Sequence, residues 1–134
     1  MKTIIISIFS LFLVSLFSIP PLQAKRKEPT PVPPILYNGI QYRAPHWGKM
    51  NGKEQNGGYI EAWDPKLNKK LWELRVYSIS SNNHATEADI WDVFITALSI
   101  QNGQLIVVNE KNERYAIDLE QQKVVQVLPT KKNH

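Results

Sequence analysis

Residues 57–72 read GGYIEAWDPKLNKKLW and follow the pattern of a strand, a tight turn and a second strand. The Asp-Pro pair and Asn68 mark the turn, because these residue types favour tight turns. Trp63 and Trp72 flank it, and apolar and polar residues alternate in the second arm, as in a strand with one buried face. This stretch predicts a β-hairpin.

A weaker copy of the hairpin pattern occurs later in the chain. Setting Asp64 against Asp118 without gaps places an alanine two residues before each aspartate and aligns Lys69 with Lys123. This spacing fits a strand, a short turn and a returning strand, and the aspartate can accept backbone N–H bonds in the turn. The hairpin is therefore predicted to be a repeated building unit.

The repeated pattern resembles the repeats of pyrroloquinoline-quinone-type β-propellers, whose form is roughly Gly-x-apolar-x-Ala-apolar-Asp, a turn often ending Gly-Lys, then apolar-Trp. Residues 58–72 follow this form, and residues 103–109 with 115–125 match it more loosely. Asn68-Lys69 stands where the turn glycine is usual, and Gln126 replaces the second tryptophan. The resemblance implies blade-like hairpins. It implies no quinone site, because that site needs a full ring and two hairpin units cannot close a propeller of typically four to eight blades. The chain is also similar to small exported bacterial proteins without an assigned activity.

Further strands are predicted on both sides of the hairpin. Residues 35–43 are divided by an Asn-Gly turn, and residues 92–100, 105–109, 114–119 and 123–128 are joined by short turns. Apolar residues on both sides of 92–100 predict a buried central strand, and residues 87–91 predict one helical turn. We therefore predict an all-β fold, an antiparallel meander or sandwich of about six to eight strands. It is built from propeller-blade-like hairpins, with at most one short helical turn.

The N-terminal segment has the layout of a secretory signal peptide. Lys2 precedes an apolar run, and Ala24 precedes a basic run. We expect cleavage after Ala24 and a protein that is exported, either periplasmic or secreted, with no stable membrane span after cleavage. The alternative is an uncleaved anchor, because an apolar run of about 15–17 residues is near the lower limit of a bilayer span. The chain has no cysteine, which excludes a lipoprotein and disulfides.

Four segments are predicted: a signal peptide at 1–24, a basic and proline-rich spacer at 25–34, a single β domain at 35–129 and a polar tail at 130–134. The formal net charge is +4, but basic residues are concentrated at 25–27 and 131–132. The folded part is near neutral and lacks the basic cluster that nucleic-acid binding needs. We therefore expect no nucleic-acid partner.

Motifs for catalysis and metal binding are missing from the sequence. There is no nucleophile elbow, phosphate-binding loop, dinucleotide fingerprint or zinc-protease motif, and the histidines lack ligand spacing. Glu61 and Glu73 lie on facing arms of the hairpin, but with Lys70 and Arg75 on the same arms they fit solvent-side ion pairs better than a catalytic pair. We predict no enzyme activity, no cofactor and no metal.

A long irregular segment, residues 44–57, precedes the hairpin, and loops of this length are often functional. Tyr42, His46 and Trp47 lie in or beside it and are the predicted ligand-binding residues, because exposed rings mark binding patches. Burial of these rings in the core is the alternative. The sequence favours an exported, non-enzymatic binding or protein-interaction module of the cell envelope. The expected partner is another envelope or extracellular protein, and the oligomeric state is left open. The alternative is a carbohydrate- or cofactor-binding β domain accessory to an envelope enzyme.

Overall fold

Eight strands form two four-stranded antiparallel sheets in a computed structural model of the chain, which describes residues 27–79 and 92–130. The first sheet contains β1 (Ile35–Tyr37), β2 (Ile40–Arg43), β3 (Tyr59–Asp64) and β4 (Lys69–Arg75), and the second contains β5 (Ile95–Gln101), β6 (Gln104–Asn109), β7 (Arg114–Asp118) and β8 (Lys123–Leu128). Each sheet keeps the order of the chain. A 3-10 turn, Lys49–Asn51, is the one helical element in the described part. The predicted all-β fold is confirmed.

The two sheets are copies of one structural unit. The pairing of the third and fourth strands is irregular at the same point, between Ala62 and Trp63 in the first sheet and between Ala116 and Ile117 in the second. Both units also open on an Asn-Gly hairpin turn whose two residues have positive φ, as a two-residue turn between twisted strands requires.

The aspartate turns repeat atom for atom. The Oδ1 atom of Asp64 accepts hydrogen bonds from the second and third following backbone N–H groups at 2.9 and 3.2 Å. Asp118 accepts the equivalent bonds at 2.9 and 2.8 Å. Each turn closes on a residue in the left-handed region, Asn68 at φ 48° and Gln122 at φ 56°. The predicted role of both aspartates is confirmed.

The two sheets pack against each other through faces that are not equivalent in the repeated unit. The first sheet contributes Ile60 and Ala62 to the shared core. The second contributes Val107 and Ile117, and the strand registers make these residues equivalent to Arg43 and Trp63 of the first sheet. A front face therefore packs on a back face, the head-to-tail arrangement of a heterologous interface. The Arg43 and Trp63 face of the first sheet points away from the second sheet.

One predicted strand is placed differently. Residues 92–100 do not form a buried central strand, because β5 is an edge of the second sheet and four of its seven residues are exposed. The buried apolar residues Val93 and Phe94 precede the strand, so they do not mark a strand with two covered faces.

The predicted helical turn and the predicted spacer lie outside the strands. The predicted helical turn at 87–91 lies outside the described residues. In the described part of the spacer no regular secondary structure occurs, although Val32 packs against the core. Among residues 27–79 and 92–130, no helix is long and apolar enough to cross a membrane.

Candidate functional site

The two repeated units differ most in the connection between their second and third strands. It spans residues 44–58 in the first unit and only 110–113 in the second. We call residues 44–58 the inserted loop. It corresponds to the irregular segment that the sequence singles out, extended by one residue.

The inserted loop is held in place by buried polar contacts. The Gln55 side chain is 8% exposed. Its Nε2 donates to the backbone oxygens of Gly57 at 3.1 Å and Tyr77 at 2.9 Å, and its Oε1 accepts from the backbone N–H of Ile79 at 3.1 Å. The Gly57 N–H donates to the His46 oxygen at 2.7 Å and closes the base of the loop. Because its base is tied to the segment that follows β4, the loop presents its other side chains from a fixed position.

His46 is part of that base and not of the surface. Its ring is 5% exposed and lies 4.4 Å, centroid to centroid, from the Phe94 ring. Neither ring nitrogen has a hydrogen-bond partner among the described residues. Burial lowers the pKa of the imidazole, and the negative charge of Glu28 opposes this effect less strongly. The neutral ring therefore packs beneath the loop as an apolar group.

Trp47 and Met50 are the apolar side chains that the loop exposes. Trp47 is 44% exposed, with its ring edge-on to Phe94 at 5.6 Å, and Met50 is 82% exposed. Asn51 is the last residue of the 3-10 turn, and its Nδ2 donates to the backbone oxygen of Trp47 at 3.3 Å. Two large apolar side chains, three residues apart in the sequence, are thus exposed on the inserted loop.

Tyr42 lies apart from His46 and Trp47. Its ring is 2% exposed, is 6.0 Å from the Trp72 ring and belongs to the core, where burial raises its pKa. Tyr42 also lines a cleft of about 460 Å³, together with Tyr37 and the turn residues 102–104 and 118–120. This cleft is distinct from a second one that lies beside the inserted loop. The structure therefore brings together two of the three predicted ligand-binding residues. A ligand-binding role for Tyr42, His46 and Trp47 stays a prediction.

A cleft of about 490 Å³ lies between the inserted loop and the outer face of the first sheet. The loop forms one wall and β3 with β4 form the other. The lining residues are Pro45, Asn51, Gly52, Lys53, Glu61, Trp63, Lys70 and Glu73. Volumes of roughly 300–1,000 Å³ are typical of small-ligand sites.

Four alternating charges form the floor of this cleft. Lys53 Nζ is 3.3 Å from Glu61 Oε1 and 2.6 Å from Glu73 Oε2, and Lys70 Nζ is 3.7 and 2.9 Å from the same two atoms. Hydrogen bonds from Lys53 and then Lys70 lower the pKa of Glu73, and the hydrogen bond to Glu73 raises the pKa of Lys70. Two basic and two acidic side chains therefore alternate on the cleft floor, and their formal charges cancel.

The ion pairs differ in part from those read in the sequence. The predicted pairing of Lys70 with the two glutamates is found, but Arg75 pairs with Glu54 of the inserted loop at 2.7 Å. Lys53 was not predicted, because it reaches the sheet from an irregular segment whose path no periodicity defines. Nor was Trp63 predicted to line a site. The hairpin register, which places Glu61 opposite Glu73, was the one available signal for the cleft.

Within the described ranges, no three histidine or carboxylate side chains come together as a set of metal ligands. No protein-family model matches the chain, and no curated protein matches it.

Proposed function

We propose that this protein is an exported, non-enzymatic binding module of the cell envelope that docks another envelope or extracellular protein through its inserted loop. The observation that supports this most directly is the pair of exposed side chains, Trp47 and Met50, on an ordered loop present in only one of two repeated units. Binding residues are often placed on loops held by a rigid scaffold, and aromatic residues and methionine are enriched at protein interfaces.

The proposal of a binding role without catalysis is supported by the lowered pKa of Glu73 in the cleft. A general acid at neutral pH needs a raised pKa, whereas hydrogen bonds from two lysines lower the pKa of Glu73. Export, to the periplasm or beyond the cell, is proposed from the signal-peptide layout of residues 1–24.

We also propose that the two units are blade-like, as the resemblance to quinone-type propeller repeats implies. Four-stranded antiparallel meanders repeated about an axis are the architecture of propeller blades. The head-to-tail packing of the two sheets agrees with such a repetition. The blade-like units serve here as the scaffold that holds the inserted loop.

Affinity capture from envelope extract tests the docking surface. Wild-type protein, Trp47→Ala and Met50→Ala are immobilised in parallel, with Leu67→Ala as a matched control, because Leu67 is also an exposed apolar residue (72%) but lies in the β3–β4 turn. We expect a captured protein whose affinity, measured after purification, falls about tenfold or more with Trp47→Ala. It should change less than about twofold with Leu67→Ala. Identical capture by all four proteins would contradict the proposal.

A further inference from the structure

The indole of Trp63 is fixed in the wall of the cleft. Its Nε1 donates to Glu61 Oε2 at 2.9 Å. The Arg43 guanidinium carbon lies 4.3 Å from the centre of the ring, and the Arg43 Nε is itself bound to Gln41 Oε1 at 2.7 Å. A ring held by a hydrogen bond at its edge and a cation over its face loses little further freedom when a ligand stacks on it.

The polar groups beside Trp63 offer both kinds of hydrogen bond. Lys53 and Lys70 are donors, Glu61 and Glu73 are acceptors, and Asn51 can be both. A hydroxyl group both donates and accepts, so a polyhydroxylated ligand can bind these groups without removing any of them from their ion pairs.

The charge balance of the cleft disfavours an ionic ligand. Lys53 is 11% exposed and Glu61 is 14% exposed, and each is already paired. An anion bound to Lys53 would have to draw this largely buried lysine away from both glutamates, and breaking a buried ion pair is costly. A neutral ligand avoids this cost.

From these three observations we propose that the cleft between the inserted loop and the first sheet binds a neutral saccharide, with one sugar ring stacked on Trp63 and its hydroxyl groups bonded to the Lys53, Lys70, Glu61 and Glu73 network. The weakly positive C–H face of a sugar ring suits the negative face of an indole. Trp47 and Met50, the residues proposed to contact a protein partner, do not line this cleft. The two proposals can therefore be tested independently.

Nitrogen-resolved NMR of the isotopically labelled protein tests the saccharide site. The chain has four tryptophans, and Trp63→Phe assigns the Trp63 indole N–H signal. The probes are maltotetraose, cellotetraose and chitotetraose, each raised to about 10 mM, and dextran sulfate is the anionic comparison. With at least one neutral tetrasaccharide, we expect a saturable shift of the Trp63 signal, because its N–H lies in the cleft wall, and no shift of the core-facing Trp72 signal.

Substitutions then separate stacking from folding. With affinity measured from the backbone N–H shifts of Lys53 and Glu61, which line the cleft in every variant, Trp63→Ala should weaken saccharide binding about three- to tenfold, the range expected for one aromatic contact. Trp63→Phe keeps a ring and should bind within about threefold of wild type, and Trp47→Ala within about twofold. The unchanged signals of the remaining indoles show whether each variant is folded.

Three results would overturn the inference: no shift of the Trp63 signal with any neutral tetrasaccharide, a shift with dextran sulfate alone, or saccharide binding that Trp63→Ala leaves unchanged. Capture of a protein partner that depends on Trp47 would stand in all three cases, so failure of the saccharide site is distinguishable from failure of the proposed function.

Discussion

Replacing Lys53 by methionine tests the network that joins the inserted loop to the first sheet. The substitution keeps the length of the side chain and removes the ammonium group that bridges two glutamates at 3.3 and 2.6 Å. An exposed ion pair contributes about 0–1 kcal/mol, whereas breaking a fully buried one costs about 3–5 kcal/mol. Lys53 and Glu61 are mostly buried, but Glu73 is 41% exposed and Lys70 still neutralises one carboxylate. We expect a loss of about 2 kcal/mol and a Tm lower by roughly 8–16 °C.

The cost of Lys53→Met should depend on pH with a defined sign. The pKa of Glu73 in the folded protein lies below its ordinary value of 4.5, first because of its hydrogen bond from Lys53. Stability from a lowered pKa is present above the ordinary value and is lost as the pH falls through the folded value. The difference between wild type and variant should therefore be largest near neutral pH and shrink below 4.5.

Urea unfolding followed by circular dichroism at about pH 7 and about pH 3 measures this difference. Lys70→Met is the matched control, because Lys70 contacts the same two carboxylates but is 39% exposed, and its loss should cost about 0.5 kcal/mol. Equal costs for the two lysines, or a cost of Lys53→Met that is the same at both pH values, would refute the reasoning.

Three further predictions concern the repeat and the core. Asp64→Ala and Asp118→Ala each remove two backbone hydrogen bonds of matching length, so in urea unfolding each should cost about 1–2 kcal/mol. A difference above about 1 kcal/mol between the two would contradict structural equivalence. Gly57→Ala should lower the free energy of unfolding by at least about 3 kcal/mol, because the φ of Gly57 is +74° and a Cβ would lie 2.5 Å from the Val93 oxygen. Gly39→Ala is the control: its φ is +76°, but no atom lies within 4 Å of the added Cβ, so the loss should be only about 1–2 kcal/mol. Burial and the Glu113 carboxylate raise the pKa of Tyr115 to about 12, so its contribution to stability is present below pH 10 and lost as the pH rises toward 12. Tyr115→Phe should reduce the loss of stability at alkaline pH, as measured by unfolding at increasing pH; Tyr77, whose pKa burial also raises, keeps its own share.

The strands and turns were predictable because their signals are local. Asn102-Gly103 sets a two-residue hairpin by its backbone preference alone, and the matched spacing after Asp64 and Asp118 identified the repeated unit. Strand positions followed from alternation over a few residues. None of these signals depends on what the sheet packs against.

The packing of the two sheets and the position of the cleft were not predictable, because both depend on contacts between residues that are far apart in the sequence. Val93 and Phe94 pack near the base of the inserted loop, where Phe94 contacts His46 and Trp47. Their apolar side chains led to the wrong prediction that residues 92–100 form a buried central strand. The sequence identified the inserted loop as a candidate binding segment. It could not show that Trp47 points outward while His46 points inward, or that Lys53 reaches the sheet.

The head-to-tail packing explains why the cleft lies on the first sheet. At equivalent positions of the repeat, the second sheet has Val107 and Ile117, which pack against the first sheet, and the first sheet has Arg43 and Trp63, which face away from the second. Another sheet packed there would have to bury the ion pairs of the cleft floor, at a desolvation cost of several kcal/mol per ion that their mutual attraction only partly offsets. A stack of repeats needs a polar outer face where it ends. The inserted loop lies over this polar face, so the residues that disfavour packing of a further sheet also form the charged floor and the indole wall of the cleft.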